Sequence, residues 1–305
     1  MEIEHQPVLL EAVVEYISPL STGATICDAT LGAGGLTARL LELFPSCTIL
    51  GIDADSSMIE RARTRIGSDP RLSIVHGWFD EVLSTATAFD RILMDFGISM
   101  VHLREGSRGF SFHEDGPLDM RLNRSENRES AADLIRRLTE RELADVIYRY
   151  GEERYSRRIA RAIVEDRAEA ASGTKALAEI VKRTVPPKYR FSRIHPATRT
   201  FQALRIAVND ELGRIERALP RAARALKPGG RLLAISFHSL EDRIVKHAFR
   251  TLASDSNEGA ERPMVKEGER FVVLTKKPIV AGDEERKRNS AARSAKLRVL
   301  EKGST

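Results

Sequence analysis

Asp53 and Asp95 each close an apolar run, and the first of them follows a turn with glycines at 32, 34 and 35. Glycine lets a backbone approach a ligand closely, and the first amides of a helix starting there offer unpaired donors to a carboxylate or phosphate. Asp53 offers two acceptor oxygens to a ribose diol. Asp95 closes the run Ile92, Leu93, Met94; an acid at such a place is a poor core residue and a good functional one. His238 follows another apolar run, residues 231–237.

These residues must be positioned by a β-loop-α-β unit, residues 24–55. An apolar strand meets the glycines, a helical pattern of Leu36, Leu40, Leu41 and Phe44 follows, and a second apolar run ends at Asp53. Parallel strands need such a crossover, and in open α/β sheets ligands bind beyond the carboxyl ends of the strands. A dinucleotide fingerprint G-x-G-x-x-G fails, because Thr37 stands at the last glycine position. The pattern G-A-G-G suits the shorter loop of adenosylmethionine enzymes; a tight turn in another α/β protein is the alternative.

The rest of the chain extends this unit. Residues 56–66 read as a helix and 71–79 as a third strand, placing Phe79 and Asp80 at its carboxyl end, where an aromatic could cover an adenine or join the core. Residues 89–97 form a fourth strand, buried on both faces. Residues 104–121 lack a sustained period and mix Gly, Pro and charge with Phe110 and Phe112, which predicts a lid or substrate loop. From 130 to about 209 the pattern is helical, with a capping box at Thr139 and Glu142 and helices over 155–167 and 174–185. A helix ending in ALKPGG precedes the fifth strand, and residues 271–277 and 295–301 read as further strands. A helical module thus interrupts an α/β sheet after its fourth strand.

Length and composition bound the function. The 305 residues suffice for one large or two modest domains, and the two cysteines, Cys27 and Cys47, lack metal-ligand or CxxC spacing and read as buried thiols. No apolar run approaches a membrane span and the start MEIEHQPVLL is too acidic for a secretory signal, so a soluble cytoplasmic protein is expected. Charge is segregated. Residues 1–100 carry 6 Lys and Arg against 14 Asp and Glu, whereas residues 182–231 carry 13 against 3. The basic loop PPKYRFSRIHPATRT interleaves Lys188, Arg190, Arg193 and Arg199 with Tyr189 and Phe191, a combination that suits single-stranded nucleic acid; an exposed helix connection would read the same.

Several motifs together resemble the bacterial 16S ribosomal RNA cytosine-N4 methyltransferases. They are His5-Gln-Pro-Val-Leu-Leu, Asp28-Ala-Thr-Leu-Gly-Ala-Gly-Gly35, Asp53, Arg108-Gly-Phe-Ser-Phe, Asp115-Gly-Pro-Leu-Asp-Met-Arg121, Tyr150-Gly-Glu-Glu153, His195-Pro-Ala-Thr-Arg-Thr-Phe-Gln-Ala203, Ser236-Phe-His-Ser-Leu-Glu-Asp-Arg243 and Arg293-Ser-Ala-Lys-Leu-Arg298. The resemblance spans nearly the whole chain. It implies a class I adenosylmethionine-dependent, Rossmann-like α/β fold, with a methyltransferase domain over 1–107 and 214–305 and an all-helical, RNA-binding insert over 108–213. It also implies S-adenosyl-L-methionine as cofactor and methylation of a decoding-centre cytidine, position 1402 of the 16S RNA, so the small ribosomal subunit is the expected partner.

Carried over by position, Gly34, Gly35, Leu36, Asp53, Phe79, Asp95 and His102 would contact the cofactor; Lys188, Arg190, Arg193 and Arg199 of the basic loop, with His195, are the residues expected to meet the RNA. No metal is implied. The family usually has His at Leu36, Ser at Met100, Gln at His102 and Asn-Pro-Arg where Asn289-Ser290-Ala291 stands. For methyl transfer to an exocyclic amine, an ionised Asp95 is the expected acceptor and His238 the competing one, unless Asp95 only positions the cofactor. A methyltransferase of another nucleic acid or a small molecule, and an RNA-binding assembly factor without turnover, are the other function classes. A typical DNA amino-methyltransferase would carry S/N/D-P-P-Y/F where Asp95-Phe96-Gly97-Ile98 stands.

Overall fold

Short, β-branched apolar runs set the architecture. The computed structural model describes residues 7–86, 88–125, 129–191, 194–254 and 269–304; His5 and Arg193 lie outside these. Strands β1 (Thr25–Asp28), β2 (Thr48–Asp53), β3 (Leu72–His76), β4 (Phe89–Asp95) and β5 (Leu226–Ser236) are parallel and ordered β3-β2-β1-β4-β5. Two more, β6 (Phe271–Val273) and β7 (Ile279–Val280), pair antiparallel with β8 (Lys296–Lys302), which itself lies antiparallel to β5. The chain steps outward from β1 to β3 and then returns to lay β4 on the other side of β1. The strand order therefore reverses between β1 and β4, and a crevice opens at their carboxyl ends.

The buried runs follow from this sheet. Ile26, Leu93 and Leu233 belong to one apolar cluster, with Leu40, Ile49 and Val299; their chain neighbours Cys27, Ile92 and Leu232 belong to another, with Ile52, Met94 and Phe249. Successive residues point to opposite faces of a strand, so both faces are covered and the runs cannot alternate with polar residues. Both cysteines are buried, and burial pushes their thiols up.

The chain divides into two compact units, Met1–Gly97 with Leu212–Thr305, and Ile98–Glu211. The divisions fall at 97/98 and 211/212, rather than at 107/108 and 213/214, because Ile98 and Leu103 pack against the core of the helical unit while Leu212 packs in the sheet unit. In the helical unit, helices Glu140–Gly151, Ser156–Glu165, Thr174–Thr184 and Ala197–Asn209 bury Ile147, Ile159, Ile163, Val181 and Leu204. Ile159 and Ile163 share one stripe, four residues apart. Thr139 and Glu142 form the expected capping box.

Several sequence expectations need correction. Residues 104–121 are not a lid: Phe110, Leu118 and Met120 are core residues, Phe112 packs on His195 and Phe201, and the buried Arg108 guanidinium donates to the carbonyls of Arg121 and Leu122. The ring contacts of Phe112 are invisible to periodicity because His195 and Phe201 lie 83 and 89 positions further along the chain. The third strand stops at His76, and Phe79 instead opens a one-turn helix, Phe79–Val82. ALKPGG does not end as a helix cap alone, since Leu226–Gly230 already runs as strand, with Leu226 paired to Phe89. The basic loop contains a helical turn, Pro187–Arg190, for which Pro187 supplies a preset φ.

A buried charged cluster lies in the sheet unit around Asp80. Arg214, 2% exposed, stacks over the Trp78 ring at 3.8 Å and donates to Asp80 at 2.6 Å, while Arg217 reaches the other Asp80 oxygen at 2.9 Å. Asp80 is thus a buried ion-pair residue. No helix among the described residues is long and apolar enough to cross a membrane.

Candidate active site

The glycine loop runs from Asp28 at the end of β1 into the helix Gly35–Leu43. Two glycines are required by contact. At Gly34, φ is +75° and an added Cβ would lie 3.0 Å from Ala62; at Gly51, in the middle of β2, it would lie 2.9 Å from Leu31, which the loop lays on the strand. Gly34 supplies no side-chain cap, so the first turn keeps amide donors available. Gly32, at φ +53°, has only the Thr30 carbonyl, 3.9 Å away, near the position of a Cβ. Gly35 opens the helix, and Leu36, the next residue, is half-buried against the core rather than offering a polar group.

Asp53 closes β2 beside this loop. Its Oδ2 accepts from Gly32 N at 2.7 Å and its Oδ1 from Asp55 N at 2.8 Å. These two bonds fix the group's orientation. Phe79 is half-buried, its ring tilted 50° to that of Phe96 at 6.2 Å.

Asp95 closes β4 on the other side of the switch point. Its amide donates to the Thr30 hydroxyl at 2.7 Å, which ties β4 to the loop after β1. Asp28, 1% exposed, accepts from the Thr37 hydroxyl at 2.6 Å and from Thr30 N at 3.3 Å. After β5, Glu241 accepts from Phe237 N at 2.8 Å and His238 N at 3.2 Å. Three acids from three strand ends therefore share a water-poor region. Asp95 differs from the other two, because its Oδ1 is enclosed and has no hydrogen-bond partner. Burial first, and then the charges of Asp28 and Glu241, push the Asp95 carboxyl up to about 8. Some of the residue's surface remains accessible, but that oxygen does not. Burial and these neighbouring acids thus favour the protonated carboxyl in the ligand-free chain at neutral pH. Burial likewise raises Asp28.

His238 caps the helix Ser239–Ala253. Its Nδ1 accepts a long bond from Glu241 N at 3.5 Å, and its Nε2 lies 3.1 Å from Glu241 Oε1 without hydrogen-bond alignment. A neutral ring accepting at Nδ1 carries its hydrogen on Nε2, where it is a donor. His102 is placed in the helical unit, on the helix Met100–Arg104; its Nδ1 accepts from Ser99 N at 3.1 Å in a capping box and its ring packs on Phe110 at 5.3 Å. The residues sequence reasoning missed are Thr30, Thr37 and Glu241. Their signal was position: Thr30 and Glu241 lie within four residues of an expected strand end, and Thr37 lies in the first turn of the helix after the glycines.

In the helical unit the basic segment is less uniform than its sequence. Arg190 donates to the carbonyls of Val185 at 3.1 Å and Arg183 at 2.7 Å, closing the end of the helix Thr174–Thr184. Arg199 donates to the Glu152 carbonyl at 2.9 Å, and His195 Nδ1 accepts from Ala197 N at 3.2 Å while its ring packs on Phe112. Tyr189 meets Tyr155 edge-on under the Arg154 guanidinium. Lys188 is exposed, and Phe191 is 87% exposed.

A parallel, Rossmann-like sheet with a glycine loop, a ribose-type acid and a buried acid flanking its switch point defines an α/β protein of the nucleotide-cofactor class. The chain belongs to the MraW methylase family, whose model matches residues 2–303. It is 48% identical to the ribosomal RNA small subunit methyltransferase H of Treponema denticola over 99% of this chain and 98% of that one. It is 46% identical to the protein of the same name from a Synechocystis species, over 99% and 94%, and 45% to that from Gluconobacter oxydans, over 97% and 92%.

Proposed function

We propose that the protein transfers a methyl group from S-adenosyl-L-methionine to the N4 amine of a cytidine in 16S ribosomal RNA of the small subunit. The observation that carries this reading is the unpartnered, enclosed Asp95 oxygen beside a glycine loop at the switch point, in a family of methylases whose relatives are named for small-subunit ribosomal RNA.

The residues fit such a cofactor. Asp53, already oriented by Gly32 and Asp55, would hold the ribose hydroxyls; the amides of Gly34, Gly35 and Leu36 would face its carboxylate, and Phe79 would flank the adenine. His102 Nδ1 caps its own helix. When bound, the cofactor supplies an electrophilic methyl on a cationic sulfur. The N4 lone pair is delocalised into the cytosine ring, so the chain must hold the amine in line and accept its hydrogen bonds as positive charge develops. Asp95 in its ionised form is that acceptor, and takes the proton directly or through water. His238 is less suited, because its acceptor nitrogen faces the Glu241 amide.

The helical unit is the RNA-binding part. Lys188 is an exposed cation of this unit and Phe191 an exposed stacking face; Arg190, His195 and Arg199 keep cationic or polar edges beside the helix ends they close, and Arg193 lies outside the described residues. The test is methylation of small subunits lacking this modification by the purified protein, followed by mass spectrometry of the nucleosides. N4-methylcytidine at one position is expected; methylation of another nucleoside, or none, overturns the reading.

A further inference from the structure

Three carboxyl groups at the crevice cannot all ionise without partners, and the structure provides partners for two. Asp28 is held by Thr37 and Thr30, and Glu241 by two backbone amides. Asp95 is the third, with Oδ1 enclosed and unbonded. The titratable groups that bear on it are two acids, Asp28 from β1, itself raised by burial, and Glu241 from the helix after β5, with His238 beyond Glu241 held in its cap. No donor in the described residues meets that oxygen. A lone carboxylate there would be a buried charge without a counterion, which is far costlier than the neutral acid. A cation brought close to it reverses the balance.

We propose that the ligand-free protein carries a proton on Asp95 and that binding of S-adenosyl-L-methionine expels it, the sulfonium charge taking the proton's place. This rests on the functional reading above, in which Asp95 faces the reacting amine and therefore lies within a few bond lengths of the sulfur. The consequence is functional. The cationic cofactor converts Asp95 from a hydrogen-bond donor into the acceptor that the amine needs, so the base is formed only when the methyl donor is present. After transfer the sulfur is a neutral thioether, and the carboxyl can keep the proton taken from N4. The balance closes: one proton leaves on cofactor binding, and the proton lost by N4 is returned to Asp95 before the product departs. The site thereby prefers the cationic cofactor over its neutral product.

Calorimetric titration of the whole protein at pH 7 in phosphate and in Tris, whose ionisation enthalpies differ, reads the proton directly. S-adenosyl-L-methionine should release close to one proton per site, and S-adenosylhomocysteine, which keeps the ammonium but lacks the sulfonium, distinctly fewer. Asp95→Asn should bind without release, its fold checked by circular dichroism. Between pH 6 and pH 7 the wild-type affinity for S-adenosyl-L-methionine should rise about tenfold, while that for S-adenosylhomocysteine stays nearly flat. Heats independent of buffer for both ligands overturn the proposal, and equal release with both overturns the role of the sulfonium. Failure to bind the cofactor at all would instead strike at the functional reading.

Discussion

The crevice of the sheet unit and the basic segment of the helical unit both carry charge, and they handle it in opposite ways. At the crevice the acids are enclosed, held by backbone amides or hydroxyls, and the one oxygen left over belongs to a group that titrates near neutrality. In the basic segment the cations lie at the surface, and two of the arginines are committed to carbonyls at helix ends. Burial makes a charge sensitive to a single nearby ligand charge, whereas exposure makes it sensitive to salt. One region is thus suited to recognising a small cation, the other to a long polyanion.

Removing a buried counterion should produce the largest effect. Arg214→Ala leaves the buried Asp80 with only the more exposed Arg217 as counterion and removes the stack on Trp78, and the protein should lose about 3 kcal/mol of stability, read by denaturant unfolding. A loss under about 1 kcal/mol would show that this pair behaves like a surface bridge and would blur the contrast.

The exposed side is sharpened by Phe191→Ala. If its ring stacks on an unpaired base, RNA affinity should fall by about 1–3 kcal/mol with the salt dependence unchanged, and Phe191→Trp should restore it. On the enclosed side, Asp53→Ala should weaken cofactor binding at least about tenfold, since hydrogen bonds to a charged group contribute about 1.5–3 kcal/mol each. Calorimetry with unchanged affinity in a folded variant would remove the ribose role.

Asp95 also links stability to pH. Its carboxyl ionises at about 8 in the folded chain against an ordinary value of 3.8, so between those values the folded state binds the extra proton and stability falls as pH rises. Asp95→Asn cannot ionise; it should match the wild type near pH 4 and exceed it by about 1 kcal/mol or more at pH 8, by denaturant titration at both. The smallest effect is Lys188→Ala, which should flatten the plot of log RNA affinity against log salt by about one unit, whereas Arg190→Ala should change it less and cost helix stability instead.

Local chemistry in the sequence was enough for the parallel strands, the glycine loop and the acids at strand ends. Apolar runs of strand length and a glycine cluster are governed by neighbours in the chain, and Asp53 and Asp95 are found where those runs stop. The capping box at Thr139 is local in the same sense. Residues 104–121 were misread because Phe112 meets His195 and Phe201, partners brought to it by tertiary packing that no period records. Nor does residue type show that His102 Nδ1 and the Arg190 guanidinium close helix ends. Most of all, the protonation of Asp95 was decided in three dimensions. Type and position mark it as an acid at a strand end, but its ionisation depends on the enclosure of one oxygen and on Asp28 and Glu241, brought to it from residues 67 before and 146 after by the order of strands β1, β4 and β5.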